Sequence, residues 1–99
     1  MTGAREEAAG GIVRRRIVLH GTVQGVGLRR RARQAAALCG VTGSVRNEWD
    51  GSVTLELQGR DADIRRVLRE IAAGPFIRIE RTEEERLPVI ENENGFRKA

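Results

Sequence analysis

A glycine-rich segment over residues 21–27 is the first candidate for chemistry, because three glycines fall within seven residues. Glycine lets a backbone turn tightly or approach a ligand closely. Where such a segment runs into the start of a helix, unpaired N–H groups and the helix dipole favour an anion. Arg29 stands two residues beyond the segment, and its planar guanidinium can grip two phosphate oxygens at once. Taken alone, the segment predicts either an anion site or only a tight turn.

The segment matches neither of the two common nucleotide-binding patterns. No Gly-Lys-Ser/Thr follows it, as a Walker motif would require. The spacing of Gly21, Gly25 and Gly27 also differs from that of the dinucleotide fingerprint. The segment therefore does not predict a nucleotide site of either of these two kinds.

A second candidate is Asn47, which lies eighteen residues after Arg29 in the segment Val45-Arg46-Asn47. The hairpin signal Asp50-Gly51 begins three residues after Asn47. Because an Asn near Asp-Gly is an ordinary turn former, this segment by itself predicts no more than a turn.

The composition excludes several other kinds of site. With one cysteine, Cys39, and one histidine, His20, the chain can form neither a disulfide framework nor a four-ligand zinc site. A nucleophile–histidine pair would have to use His20, and its neighbours give no reason to choose it. Cys39 closes an apolar helical stretch and is predicted to be a small core residue.

Length and charge define the class of protein. The 99 residues suit one domain, predicted over residues 12–99 behind a flexible leader over residues 1–11. No apolar run approaches the roughly 20 residues that cross a bilayer, and no secretory signal is present, so a soluble, cytoplasmic protein is expected. Eighteen basic and 14 acidic residues give a net charge of +4. This balance favours anionic partners without choosing between a small phosphate and a polyanion.

Hydrophobic spacing predicts the order strand, helix, strand, strand, helix, strand. The first helix begins at Leu28 and stops at Gly40, and the second is capped by Asp61 or Asp63 and stops at Gly74-Pro75. The apolar stripe of the first helix comprises Leu28, Ala32, Ala35, Leu38 and Cys39. The predicted strands cover residues 12–20, 41–49, 52–58 and 76–80, with a short final strand at 95–97.

This order predicts an α+β fold, the ferredoxin-like α/β sandwich with the βαββαβ pattern. Two right-handed crossovers place both helices on one face of a mostly antiparallel sheet. With only three aromatic residues, the core must be aliphatic. In the strand over residues 52–58, apolar and polar residues alternate, which predicts one face open to water. The fold hosts many unrelated functions and does not decide the activity.

Taken together, the two motifs resemble the acylphosphatase family. The resemblance rests on Gly-Thr-Val-Gln-Gly-Val-Gly-Leu-Arg over residues 21–29 and on Val-Arg-Asn-x-x-Asp-Gly-Ser-Val over residues 45–53. It spans residues 14–98, with helix and hairpin in register. It implies the ferredoxin-like fold and hydrolysis of the carboxyl–phosphate bond of acyl phosphates, without metal or organic cofactor. The chain departs from the family pattern at Leu28, Arg30, Arg31 and Ser44.

The resemblance also implies a role for each motif residue. Arg29 would bind the phosphoryl group and Asn47 would position the attacking water, so these two are the predicted catalytic residues. The substrate would be a small acyl phosphate and the product inorganic phosphate. The predicted phosphate-binding residues are Gln24, Gly25, Val26, Gly27, Leu28 and Arg29.

A site without a side-chain acid or base is sufficient for the hydrolysis of an acyl phosphate. The leaving carboxylate has a conjugate acid with a pKa of about 4, so it departs at neutral pH without being protonated. The proton of the water can pass to a phosphate oxygen, and no side-chain base is needed. The protein has only to hold the phosphoryl group, neutralise its charge and aim one water.

Two alternatives remain open. A non-catalytic phosphate- or anion-binding domain could use the same cradle, as related domains do inside larger proteins that handle carbamoyl phosphate. A nucleic-acid-binding module is the weaker alternative. The arginines at residues 14–16 and 29–33 form a basic tract, but the strands lack the aromatic residues on which bases stack. The arginines at residues 14–16 are predicted simply to be a solvated start of the first strand.

Overall fold

The structure is a computed structural model that describes residues 11–99, so the predicted leader lies, apart from Gly11, outside the described residues. The elements follow in the predicted order. They are β1 (Ile12–Thr22), α1 (Leu28–Cys39), β2 (Thr42–Asn47), β3 (Val53–Arg60), α2 (Asp61–Ala72), β4 (Arg78–Leu87) and β5 (Phe96–Lys98). Within this part of the chain, neither helix combines the length and apolar character that a bilayer crossing requires.

The five strands form one sheet in the order β4-β1-β3-β2-β5. All neighbouring strands run antiparallel except β2 and β5, which run parallel. Each helix connects two strands that are separated by a third, β3 in one case and β1 in the other. This is the split arrangement of the ferredoxin-like sandwich, and the predicted fold class is confirmed.

The core lies between the sheet and the two helices and is aliphatic, as predicted. Ile64, Val67 and Ile71 of α2 are fully buried, and they meet Ile17 and Leu55 from the central strands. Burial of each such side chain contributes about 1.5–3 kcal/mol. None of the fully buried side chains among residues 11–99 is aromatic; Phe96 packs against the core from the edge.

The buried face of α1 differs from the predicted stripe at one position. Leu38 is 87% exposed, whereas Ala36 is completely buried. Successive residues are about 100° apart around a helix, so Leu38 lies well away from the direction that Cys39 and Leu28 share. Cys39 is half-buried and packs against the core, which agrees with the prediction. Gly40 ends the helix in a left-handed conformation, also as predicted.

The predicted cap of α2 is wrong. The helix begins at Asp61 itself, and Arg60 occupies the capping position without a side-chain hydrogen bond. The carboxylate of Asp61 instead accepts hydrogen bonds from Nε of Arg15, at 2.9 Å, and from Nε of Arg65, at 3.1 Å. An ion pair has therefore taken the oxygen atoms that a cap would use, although the charge still favours the helix dipole.

The strand after α2 is longer than the apolar alternation predicts, because β4 extends to Leu87. Residues 80–86 are all exposed, so they leave no hydrophobic signal. They form a strand because β1 offers its free edge, and the two strands pair from Arg14↔Leu87 to Thr22↔Arg78. The strands around the hairpin are shifted slightly, to Thr42–Asn47 and Val53–Arg60.

The sheet face away from the helices is not open to water along its whole length, contrary to the prediction. On β3, Thr54 and Gln58 are buried, and on β1 Arg14 is only 3% exposed. The segment over residues 88–95 crosses this face at Gln58 and Arg14, whereas the hydroxyl of Thr54 donates to the carboxylate of Glu48. The side-chain amide of Gln58 donates to the carbonyl oxygen of Ile90 and accepts from its N–H, both at 2.8 Å.

Arg14 forms the centre of a buried ion-pair network, so it is not part of a solvated start of β1. Its guanidinium donates to Glu93 at 2.8 Å and to Glu56 at 2.9 Å. The hydroxyl of Thr42 also donates to Glu93. Burial raises the pKa of Glu93, but these hydrogen bonds outweigh it and hold the pKa below its ordinary value. The network fixes the segment that leads into β5.

Candidate active site

The turn between β1 and α1 takes its shape from two glycines. Gly25 and Gly27 have φ angles of +73° and +79°, in the left-handed region that residues with a Cβ avoid. A Cβ added to either would meet no other atom within 4 Å. The turn therefore needs glycine for its backbone conformation rather than for close packing. Such left-handed turns direct successive N–H groups into one concave surface.

The N–H groups of this turn are unused. Within residues 11–99, none of the backbone N–H groups from Gln24 to Arg30 donates a hydrogen bond, whereas that of Arg31 donates to the carbonyl of Gly27. An unpaired backbone N–H is a strong donor, and water or a ligand must satisfy it. The turn and the first residues of α1 thus present a row of free donors.

The start of α1 leaves its positive end uncompensated. Gly27 caps the helix without a side chain, and the first turn holds no acidic residue, whereas Asp61 and Asp63 lie in the first turn of α2. Arg29 lies in the first turn of α1, exposed and with no ion pair among residues 11–99. Cations here oppose the helix dipole, so a bound anion would relieve both charges.

Asn47 is the last residue of β2, immediately before a tightly bonded turn. In that turn the N–H of Glu48 donates to the carbonyl of Ser52, and Asp50 accepts from both the N–H and the hydroxyl of Ser52. These hydrogen bonds from Ser52 lower the pKa of the Asp50 carboxyl. The side-chain amide of Asn47 makes no hydrogen bond within the described residues, so it is free to bind water or substrate.

Gln24 joins the glycine-rich turn to the turn after Asn47. Its side-chain NH₂ donates to the carbonyl oxygens of Glu48, at 2.6 Å, and of Ser52, at 2.9 Å. One side chain therefore fixes the position of Asn47 relative to the free N–H groups. The spacing of the sequence alone did not indicate these two hydrogen bonds.

The two motifs meet in one cavity of about 190 Å³. A single water needs about 10–15 Å³ of cavity volume, so a phosphoryl group and a water fit in this cavity together. The cavity wall contains basic side chains and no acidic one. The lining residues are Val23, Gly25, Gly27, Leu28, Arg29, Arg30, Asn47 and Lys98.

The structure brings together most of the residues that the sequence singled out. Five of them line the cavity: Gly25, Gly27, Leu28, Arg29 and Asn47. Gln24 and Val26 do not line it. The side chain of Gln24 faces the β2–β3 turn, and Val26 packs against the core.

Two basic side chains of the wall, Arg30 and Lys98, were not predicted as site residues. Lys98 reaches the cavity because β5 pairs with β2 in parallel, which sets Lys98 opposite Val45. The predicted final strand was a signal that the chain end returns to the sheet, but the pattern did not say beside which strand. Among residues 11–99, no three His, Cys, Asp or Glu side chains are grouped as metal ligands.

Comparisons with known proteins show to which family this chain belongs. The family model for acylphosphatase matches residues 15–98. An acylphosphatase of Clostridium acetobutylicum is 36% identical over 78 residues, which cover 78% of this chain and 86% of that protein. The crystal structure of an acylphosphatase from Bacillus subtilis matches with a TM-score of 0.80 at 25% identity, covering 88% of this chain and 98% of that one.

The fold is a ferredoxin-like sandwich, and a basic cavity adjoins its unused main-chain N–H groups, which are features suited to binding a small anion. The chain belongs to the acylphosphatase family. It is an enzyme, a hydrolase that acts on acyl phosphates. The predicted family and enzyme class are thereby confirmed.

Proposed function

We propose that the enzyme binds the phosphoryl group of an acyl phosphate in the cavity between the glycine-rich turn and Asn47. The N–H groups around Gly25 and Gly27 hold the phosphoryl oxygens, and the guanidinium of Arg29 neutralises their charge. The observation that carries this proposal is the set of unused N–H groups beside Arg29 at the wall of one cavity. No metal or organic cofactor takes part in the proposed reaction.

Asn47 positions the attacking water in this mechanism. Its amide both donates and accepts, so it can hold a water oxygen while leaving a lone pair directed at phosphorus. The water oxygen forms a bond to phosphorus, and the bond from phosphorus to the acyl oxygen breaks. The acyl group leaves as a carboxylate with the bonding electrons, and the water proton passes to a phosphate oxygen. Inorganic phosphate is the second product.

The Asn47→Ala substitution tests whether Asn47 positions the attacking water. We expect kcat for benzoyl phosphate to fall about 10²–10³-fold, as for the loss of one aligned polar group in a catalytic site. Inhibition by inorganic phosphate should change little, because the N–H groups and Arg29 remain. The measurement is benzoate release with a chelator present, together with the inhibition constant of phosphate.

The control for this substitution is Asn94→Ala, because Asn94 is exposed and does not line the cavity. It should keep the wild-type kcat. If Asn47→Ala also kept it, the water-positioning role would be wrong. If the wild type bound phosphate but released no benzoate, the alternative of a non-catalytic anion-binding domain would replace the proposal.

The Gln24→Met substitution tests the connection between the two turns. Methionine is close to glutamine in size but cannot donate to the carbonyl oxygens of Glu48 and Ser52. We expect kcat to fall about 10–100-fold, because a misplacement of about 1 Å is that costly in a catalytic site. KM should change less than kcat. A side chain that only filled space would leave kcat of Gln24→Met at the wild-type value.

The structure also bears on the nucleic-acid alternative. The arginines at residues 14–16, three of the seven in the basic tract, are all engaged in ion pairs with carboxylates. Arg29 and Arg30 of α1 make no ion pair within residues 11–99 and lie beside a small cavity, so we assign them to a small anion.

A further inference from the structure

A second cavity adjoins the first and is also basic. Its volume is about 350 Å³, and Arg30 and Lys98 form part of the wall of both cavities. Its other lining residues are Arg33, Gln34 and Ala37, and no acidic side chain lines it. A molecule bound in the first cavity can therefore extend past Arg30 and Lys98 into the second.

Two separate elements build this second cavity. The α1 residues fall at positions i, i+3, i+4 and i+7, which is one continuous face of a helix. Lys98 comes from β5, which faces them because β5 pairs in parallel with β2. The cations are thus brought together by the fold and not only by their closeness in the sequence.

In the part of the chain that the structure describes, no carboxylate pairs with the three cations of this second cavity. Within residues 11–99, Arg30, Arg33 and Lys98 take part in no ion pair, whereas at least six other arginines do. Arg30 and Arg33 are neighbours on the helix, with Cβ atoms about 5–6 Å apart, and like charges at this spacing repel. A ligand anion between them would remove that repulsion.

One phosphoryl group in the first cavity would not contact all three cations, Arg30, Arg33 and Lys98. The free N–H groups and Arg29 already surround the first cavity. Arg33 lines the second cavity and not the first, about one helical turn beyond Arg29 along α1. Its charge therefore faces whatever is attached to the phosphoryl group, which in an acyl phosphate is the acyl portion.

We propose that Arg30, Arg33 and Lys98 form a second anion subsite, which favours acyl phosphates whose short acyl portion carries a carboxylate or a second phosphate. This inference rests on the proposed function, because it requires the phosphoryl group to occupy the first cavity. It assigns a substrate preference to side chains that the hydrolysis itself does not need.

Two substrates of equal shape test the subsite, 4-carboxybenzoyl phosphate and 4-methylbenzoyl phosphate. We expect kcat/KM of the wild type to be about 3–10-fold higher for the carboxylated substrate, as for one or two partly exposed ion pairs. Arg33→Gln should bring the ratio of the two values close to one. The control Arg66→Gln removes the same charge from an exposed position on α2 and should leave the ratio unchanged.

A flexible pair of inhibitors gives a second measurement that does not depend on turnover. The two inhibitors are propylphosphonate and 3-phosphonopropanoate, in which a carboxylate replaces the terminal methyl group. We expect 3-phosphonopropanoate to inhibit the wild type about 3–10-fold more strongly than propylphosphonate does. Equal kcat/KM values together with equal inhibition would overturn the subsite. If Arg66→Gln lowered the ratio of the two kcat/KM values as much as Arg33→Gln, the subsite would also be overturned, because the net charge of the protein would then explain the preference. Failure of the wild type to hydrolyse either substrate would instead refute the proposed function.

Discussion

Arg29→Ala is expected to lower kcat/KM for benzoyl phosphate by about 10³-fold or more, which is the scale at which an arginine stabilises phosphoryl transfer. Arg29→Lys should recover little, because an ammonium cannot grip two oxygens in a fixed plane. The measurement is benzoate release, with phosphate inhibition as a separate measure of binding. Unlike Asn47→Ala, the Arg29 variants should weaken inhibition by phosphate as well.

The Arg29→Ala variant should nevertheless fold normally. Arg29 is exposed, makes no ion pair within the described residues and lies unfavourably in the first turn of α1. Surface substitutions of this kind change the free energy of unfolding by about 0.5 kcal/mol or less. A urea unfolding curve checks this, and Arg66→Ala is the matched control for activity. Wild-type turnover in Arg29→Ala would show that another cation binds the phosphoryl group.

Arg14→Met should have the largest effect on stability. The substitution leaves Glu93, only 6% exposed, as a buried charge without its paired cation. It also removes the nearer of the two arginines that pair with Glu56, which is 22% exposed and keeps Arg16 at 3.5 Å. Removing one member of a buried ion pair costs about 3–5 kcal/mol. Urea unfolding at neutral pH measures this loss. The combined substitution of Glu56 and Glu93 by glutamine in the Arg14→Met background should restore part of it.

The pH dependence of stability follows from the same network. The hydrogen bond from Arg14 is the main cause that lowers the pKa of Glu56, and the pKa of Glu93 is also lowered. Carboxyls with lowered pKa values stabilise the fold above their ordinary pKa of 4.5, and the contribution is lost as the pH falls through the lowered values. The difference between the wild type and Arg14→Met should therefore shrink in acid. A difference that stayed constant would contradict this account.

Arg15→Met is the matched control for Arg14→Met. Arg15 is the next residue of β1 and also holds a carboxylate, that of Asp61, but both side chains are partly exposed. Partly exposed ion pairs contribute about 0–1 kcal/mol. If the two variants lost equal stability, burial of the Arg14 network would not be the cause.

The sequence predicted the elements with an apolar face most accurately. α1 has the predicted bounds, and the hairpin turn at Asp50-Gly51 lies where its residues indicate. These features depend on local spacing, which a single sequence contains. The extension of β4 was not predictable in this way, because its exposed charged residues form a strand only through pairing with the edge of β1.

The contacts that the sequence could not indicate all join distant segments. Arg14 was interpreted as solvated because nothing near it in the sequence shows that residues 88–95 cover it. Gln24 lies in the predicted phosphate-binding segment, but its partners are 24 and 28 residues away. Lys98 reaches the cavity only through the parallel pairing of β5. In each case the missing information was which segment lies beside which.

The exposed position of the cavity residues has a consequence for how this protein can change. Gly25, Gly27, Arg29 and Asn47 are all exposed, while the aliphatic interior that supports the fold contains none of them. In the proposed mechanism, turnover and folding therefore depend largely on separate groups of side chains, and only Val23 and Leu28 belong to both the cavity wall and the core. New substrate preferences can arise by exchange of surface residues on α1 and β5, at little risk to the integrity of the domain.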